Sequence, residues 1–153
     1  MIVPYLSPGY RFLVVPFGQG AGFEEPNFDD AQFAVGHAAF GTGSFCPLDS
    51  TVETAWPLET DILLRKTLTL PANASSVRVA VAIDNDVQVF VNGVDISGGL
   101  QENEGCAEPD RFVFSVPDSL LIFGGENLLA VRGRDRGVIS YIDVEVRADI
   151  PLF

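Results

Sequence analysis

Residues 61–70 read DILLRKTLTL and residues 77–91 read VRVAVAIDNDVQVFV, and both alternate with a period of two. In the first, Ile62, Leu64, Leu68 and Leu70 share one face while Arg65, Thr67 and Thr69 share the other, the pattern of a half-buried strand. Lys66 interrupts the apolar face, so its ammonium must reach past a sheet edge. Pro71 has no N–H to give to a ladder and ends the strand. In the second stretch Val77, Val79, Val81 and Ile83 face inward, Asp84-Asn85-Asp86 has turn chemistry, and Val87, Val89 and Val91 resume the alternation. This predicts a β-hairpin.

The same reading extends in both directions. Asn92-Gly93 is the dipeptide best suited to a tight turn. Phe112, Phe114 and Val116 form another inner face, and residues 128–131 and 138–146 read as the last two strands, linked through the charged run 132–137. In the final strand Ile142, Val144 and Val146 are expected to face inward and Tyr141, Asp143, Glu145 and Arg147 outward. No stretch sustains a helical period, and residues 117–123 make at most one short helical turn. With 153 residues, of which 12 are Phe, 15 Gly and 10 Pro, the chain suits many short strands around one core. The expected fold is all-β, an antiparallel β-sandwich in a single domain: an arm and first strand over 1–27, a core over 28–147 and a tail over 148–153. Ile150, Leu152 and Phe153 make that tail apolar, able to dock on a neighbour or fold back.

The formal net charge is −12, from 21 acidic and 9 basic residues, so a phosphate backbone would be repelled at long range. Nucleic acid and anionic membranes are disfavoured as partners, and no apolar run has the length of a membrane span. Residues 1–9 lack the basic start and apolar stretch of a signal peptide. The two cysteines, Cys46 and Cys106, both lie in polar, turn-rich stretches. We expect them to pair, stabilising the fold by about 4 kcal/mol through loop closure and implying an oxidising, extracellular setting or an external particle. The alternative is two separate exposed thiols.

Three segments, in order, resemble the galactose-binding-like jelly-roll domains that accompany many glycoside hydrolases. Residues 28–41, FDDAQFAVGHAAFG, are similar to the family's "FDDxxWxxGxAxFG" segment. Residues 61–71 are similar to "lRktFtLP", and residues 84–93, DNDVQVFVNG, to "DDxxxVyvNG", with 127–132, NLLAVR, following as in "NvlAVrv". Phe33 stands where Trp is usual and Phe90 where Tyr is frequent, which points these two rings toward burial. The resemblance implies a galactose-binding-like sandwich with ligands at its end loops. It does not imply one function, because the fold carries several.

Sugar recognition needs an aromatic platform and planar polar groups. Trp56, in a loop, is the candidate platform, with plugging one end of the core as its alternative role. Arg134 and Asp135, in the charged turn beside Tyr141, and Asn85 complete the candidate ligand set. Ion pairing within a solvated hairpin is the plainer role of that turn. Related sandwiches often hold a structural calcium ion, for which Asp29 and Asp143, with Glu24, Glu25, Asp30 and Glu145, would supply oxygens if the chain ends converge. No cofactor is otherwise required. His37, the lone histidine, reads as structural, and no nucleophile elbow or phosphate loop is present, so catalysis is not expected. The leading expectation is a non-catalytic module binding a neutral glycan through end loops. The competing one is a decoration protein on a virion or similar particle, which would go with a protein lattice as partner and a closed homo-oligomer.

Overall fold

The computed structural model describes residues 1–152; Phe153 of the apolar tail lies outside the described residues. The strands are β1 Tyr10–Val15, β2 Ala34–Gly36, β3 Phe40–Thr42, β4 Thr54–Ala55, β5 Asp61–Thr69, β6 Ser75–Val91, β7 Val94–Asp95, β8 Gln101–Asn103, β9 Phe112–Ser115, β10 Glu126–Arg134 and β11 Ser140–Asp149. Two short 3-10 turns, Pro47–Thr51 and Asp118–Leu120, are the only helical elements among the described residues. All pairings are antiparallel except the two-residue β3–β4 pair.

The expected hairpin at Asp84-Asn85-Asp86 is not there. The 17-residue strand β6 runs straight through these residues and belongs to both sheets. Up to Asp84 it pairs with β11 and β9, and from Asn85 onward with β10, β7 and β8. Polar residues sit mid-strand because this is where the chain leaves one sheet for the other, at an end of the sandwich. Arg132, Gly133 and Arg134, read as part of a link, likewise extend β10. The turn at Asn92-Gly93 forms as expected, with φ of 49° and 87°. Asn92 accepts the Leu128 N–H at 2.8 Å and donates to Leu120 O and to Asn127 Oδ1.

The main core lies between the sheets, and the inner-face residues read from the alternation fill it, among them Ile62, Leu64, Val79, Val81, Val89, Val131, Ile142 and Val144. Lys66 leaves the apolar face as expected, crossing the Tyr10 ring to donate to Pro8 O at 2.7 Å. The outer faces are where the alternation misled, since Tyr141, Asp143 and Glu145 are buried too. On that side the segment around Tyr5 and Leu6 lies against β11, the Leu6 N–H donating to Asp143 at 2.9 Å, while Leu48 and Val52 pack near Tyr141. On the other sheet, residues 16–33 fold over the outer face, where Phe23, Phe28, Phe33 and Phe90 pack on Leu63. Buried Arg65 fastens this segment: it pairs with Asp30 at 2.9 Å and donates to Phe23 O, Glu25 O and Phe28 O. Phe33 and Phe90 are thus packing residues, and Asp30 and Arg65 of the motifs hold a loop.

Candidate functional site

The residues expected to bind ligand do converge, but as the frame of one end of the sandwich. Trp56 has no exposed surface; its indole N–H donates to Thr60 Oγ1 at 3.1 Å and its carbonyl accepts from Thr42 and Ser140. It plugs the core instead of offering a platform. Tyr141, 2% exposed, hydrogen-bonds Thr51 at 2.8 Å. Asp135 is fully buried and accepts the Glu59 and Gly137 N–H groups at 2.7 and 3.2 Å. Asn85 accepts the Arg136 N–H at 2.8 Å, which positions the β10–β11 connection. Arg134 lies over the Phe17 ring and pairs with Asp61. Stacking by Trp56 and Tyr141 is therefore corrected to packing, while Asp135, Asn85 and Arg134 are in part engaged within the fold, one Asp135 oxygen excepted.

The calcium candidates are engaged separately. Asp29 accepts the Ala31 N–H at 3.0 Å, whereas Asp143 holds Leu6. Among the described residues no three His, Cys, Asp or Glu side chains stand close enough to share a metal ion.

What the frame encloses is a cleft of about 270 Å³, lined by the Cys46–Cys106 disulfide, Asp84, Asn85, Glu104, Gly105, Gly137, Val138 and Ile139. The expected pairing of the cysteines is realised and ties two loops into its wall. Asp84 is 7% exposed, and among the described residues no donor bonds its carboxyl, whose oxygens open onto the cleft. Burial pushes its pKa up to about 7, helped by the charges of Asp135, Asp49 and Glu104 and opposed by Arg136. Asp49 and Asp135 each keep one buried carboxylate oxygen unpartnered. Arg136 pairs with Asp86 at 2.9 Å and with Glu104 at the rim. Val138 of the lining is 80% exposed, and Phe45, next in sequence to the lining residue Cys46, is 85% exposed. Sequence reasoning weighed Asp84, with Asn85 and Asp86, as able to bind a hydroxyl or a metal but took turn formation as its simpler role, and it missed Phe45 and Val138. The available signal was an aromatic residue in a Gly/Ser-rich loop next to a paired cysteine.

No protein-family model matches the sequence, and no curated protein matches it. Solved structures do match over nearly the whole chain. A glycosyl hydrolase family 2 member from Bacteroides cellulosilyticus aligns with a TM-score of 0.62 at 16% identity, covering 95% of this chain and 21% of that one. The fold is a galactose-binding-like β-sandwich. A Bacteroides uniformis β-glucuronidase aligns at 0.59 and 14% identity, over 93% of this chain and 17% of its own. A Ruminococcus gnavus β-glucuronidase aligns at 0.58 and 17%, over 88% and 22%. The chain thus spans about a fifth of the length of these enzymes. At such identities the likeness extends to the fold alone.

Proposed function

We propose that this chain is a non-catalytic carbohydrate-binding-type domain whose ligand enters the end cleft. The observation that carries the reading is Asp84, a buried carboxyl that faces a cavity and has no partner in the chain. The Asp84 oxygens reach the solvent of the cleft, where sugar hydroxyls offer donors and acceptors that would replace water. With a pKa near 7 the group can accept from one hydroxyl or donate to another. The exposed Phe45, next in sequence to Cys46 of the cleft wall, would give an apolar ring for a sugar's C–H face, and Arg136 and Glu104 give planar polar groups at the rim. The glycoside hydrolases among the solved neighbours, of which this chain spans about a fifth, support a role beside carbohydrate chemistry.

A glycan array probed with the wild-type chain, Asp84→Ala and Phe45→Ala tests the reading. Wild type should bind a defined neutral glycan. Phe45→Ala should weaken that binding about fivefold, from a stacking contact of about 1 kcal/mol, and Asp84→Ala should abolish it at array concentrations. A blank array for the folded wild type overturns the proposal, as does binding that both variants retain.

A further inference from the structure

A second cavity lies away from the end cleft, on the outer face of the β1–β5–β10 sheet. It is an open groove of about 600 Å³ whose lining includes Arg11, Arg65, Lys66, Thr67, Asn92 and Glu126. Its charge is unusual for this chain. Of the 9 basic residues, most are paired with carboxylates; among the described residues only Arg11, Lys66 and Arg111 have none within ion-pair distance. Two of those three line this one groove. Arg11 is exposed on β1, and its one hydrogen bond within the chain is a long 3.4 Å contact to Phe33 O. The Lys66 ammonium sits against Gly9 at the rim, and burial lowers its pKa, since no carboxylate offsets the desolvation. Arg65 and Asp30 neutralise each other beneath them. Glu126 is the unpaired carboxylate on the opposite rim.

We propose that this groove binds a sugar bearing a carboxylate, a uronic acid-type residue, with Arg11 as the main contact to the acid group and Lys66 beside it. Arg11 presents the planar fork that matches a carboxylate bidentately. Thr67 and Glu126 line the same groove and offer partners for ring hydroxyls, which an inorganic anion could not use. The acidic surface does not prevent this, because at physiological salt the screening length is about 8 Å and the groove's own cations dominate within it. The inference rests on the carbohydrate-binding reading but names a different site, so the two can fail separately.

Calorimetry at 0.15 M NaCl with trigalacturonate, the matched neutral galactose trisaccharide and acetate tests it, on wild type, Arg11→Ala, Arg11→Lys and Asp84→Ala. Arg11 is exposed, so its replacement should leave the fold intact, which thermal unfolding checks. The expected result is at least tenfold tighter binding of the uronate than of its neutral counterpart and of acetate. Arg11→Ala should erase that preference, Arg11→Lys should restore part of it, and Asp84→Ala should leave it unchanged. Equal binding of acidic and neutral trisaccharides overturns the proposal, as does an acid preference that survives Arg11→Ala. If acetate binds as well as trigalacturonate, the groove is a plain anion site and the sugar assignment fails. A neutral glycan lost only in Asp84→Ala, with no uronate binding, would sink this inference and leave the end-cleft reading standing.

Discussion

Two buried aspartates near the same end of the sandwich have opposite electrostatic surroundings. Asp61, fully buried at the start of β5, accepts from Arg132 at 2.8 Å, from Arg134 at 2.8 and 3.0 Å and from the Gly18 N–H at 2.9 Å. Burial alone would raise its pKa; the hydrogen bonds from Arg134, Gly18 and Arg132 outweigh that and hold it below the ordinary carboxylate range. Asp84, on β6, has carboxylates for neighbours and no donor, and its pKa rises to about 7. The first aspartate is finished by the fold, with its partners supplied by its own sheet and by residues 16–33. The second is left incomplete, facing a cavity. The difference separates a structural charge from a candidate binding group, although both are buried.

The largest expected effect comes from opening the wall around Asp84. Replacing both Cys46 and Cys106 by Ser removes a cross-link between residues 60 apart and should destabilise the fold by about 4 kcal/mol, measured by urea unfolding. It should also let water reach Asp84 and bring its pKa down, read from the carboxyl carbon shift. A pKa that stayed near 7 would mean that the neighbouring charges, and not burial, set it.

Next comes Asp61→Asn, which leaves Arg132 and Arg134 without an anionic partner and should cost about 3 kcal/mol. A loss under about 1 kcal/mol, the range of an exposed ion pair, would erase the contrast between the two sites.

Asp84→Asn is smaller and opposite in sign. Asp84 and Asp143, both pushed to about 7 chiefly by burial, bind protons more tightly in the folded chain than in the unfolded one. Between roughly pH 4 and pH 7 the native state therefore holds more protons, and stability falls as pH rises through that window. Asp84→Asn should raise stability at pH 8 by about 1 kcal/mol, or roughly 2–4 °C in Tm, and flatten the pH dependence. A lower Tm at pH 8 would show that Asp84 has a partner after all. A stabilised variant that no longer binds glycan would mark Asp84 as a group kept at a cost in stability.

The sandwich was legible from the residues because a strand with one buried face alternates every second position, and Ile62, Leu64, Val79, Val81, Ile142 and Val144 do so without exception. The order of the motif segments agreed with that alternation, and the structure shows why those segments matter: Asp30, Arg65, Asn92 and Asn127 satisfy loops and turns. The candidate site was legible only as a neighbourhood. Asn85 does line the cleft, Trp56 takes the core-plugging role weighed beside the platform, and Tyr141, expected on an outward face, lies inside.

Alternation reports which residues share a face, so the sequence alone determined most of the strands and the inner face; the pairing of the two cysteines was an expectation with separate thiols as its alternative, and the structure realises it. It carries no information on what covers the outer face. Tyr5 and Leu6 lie against Asp143 and Glu145 across about 140 positions of chain, and residues 16–33 close over Leu63 and Arg65. Nor does local turn chemistry distinguish a hairpin at Asp84-Asn85-Asp86 from a strand passing between sheets. Only the tertiary structure decided these, because burial and the partnering of a charge depend on segments distant in sequence that meet in space.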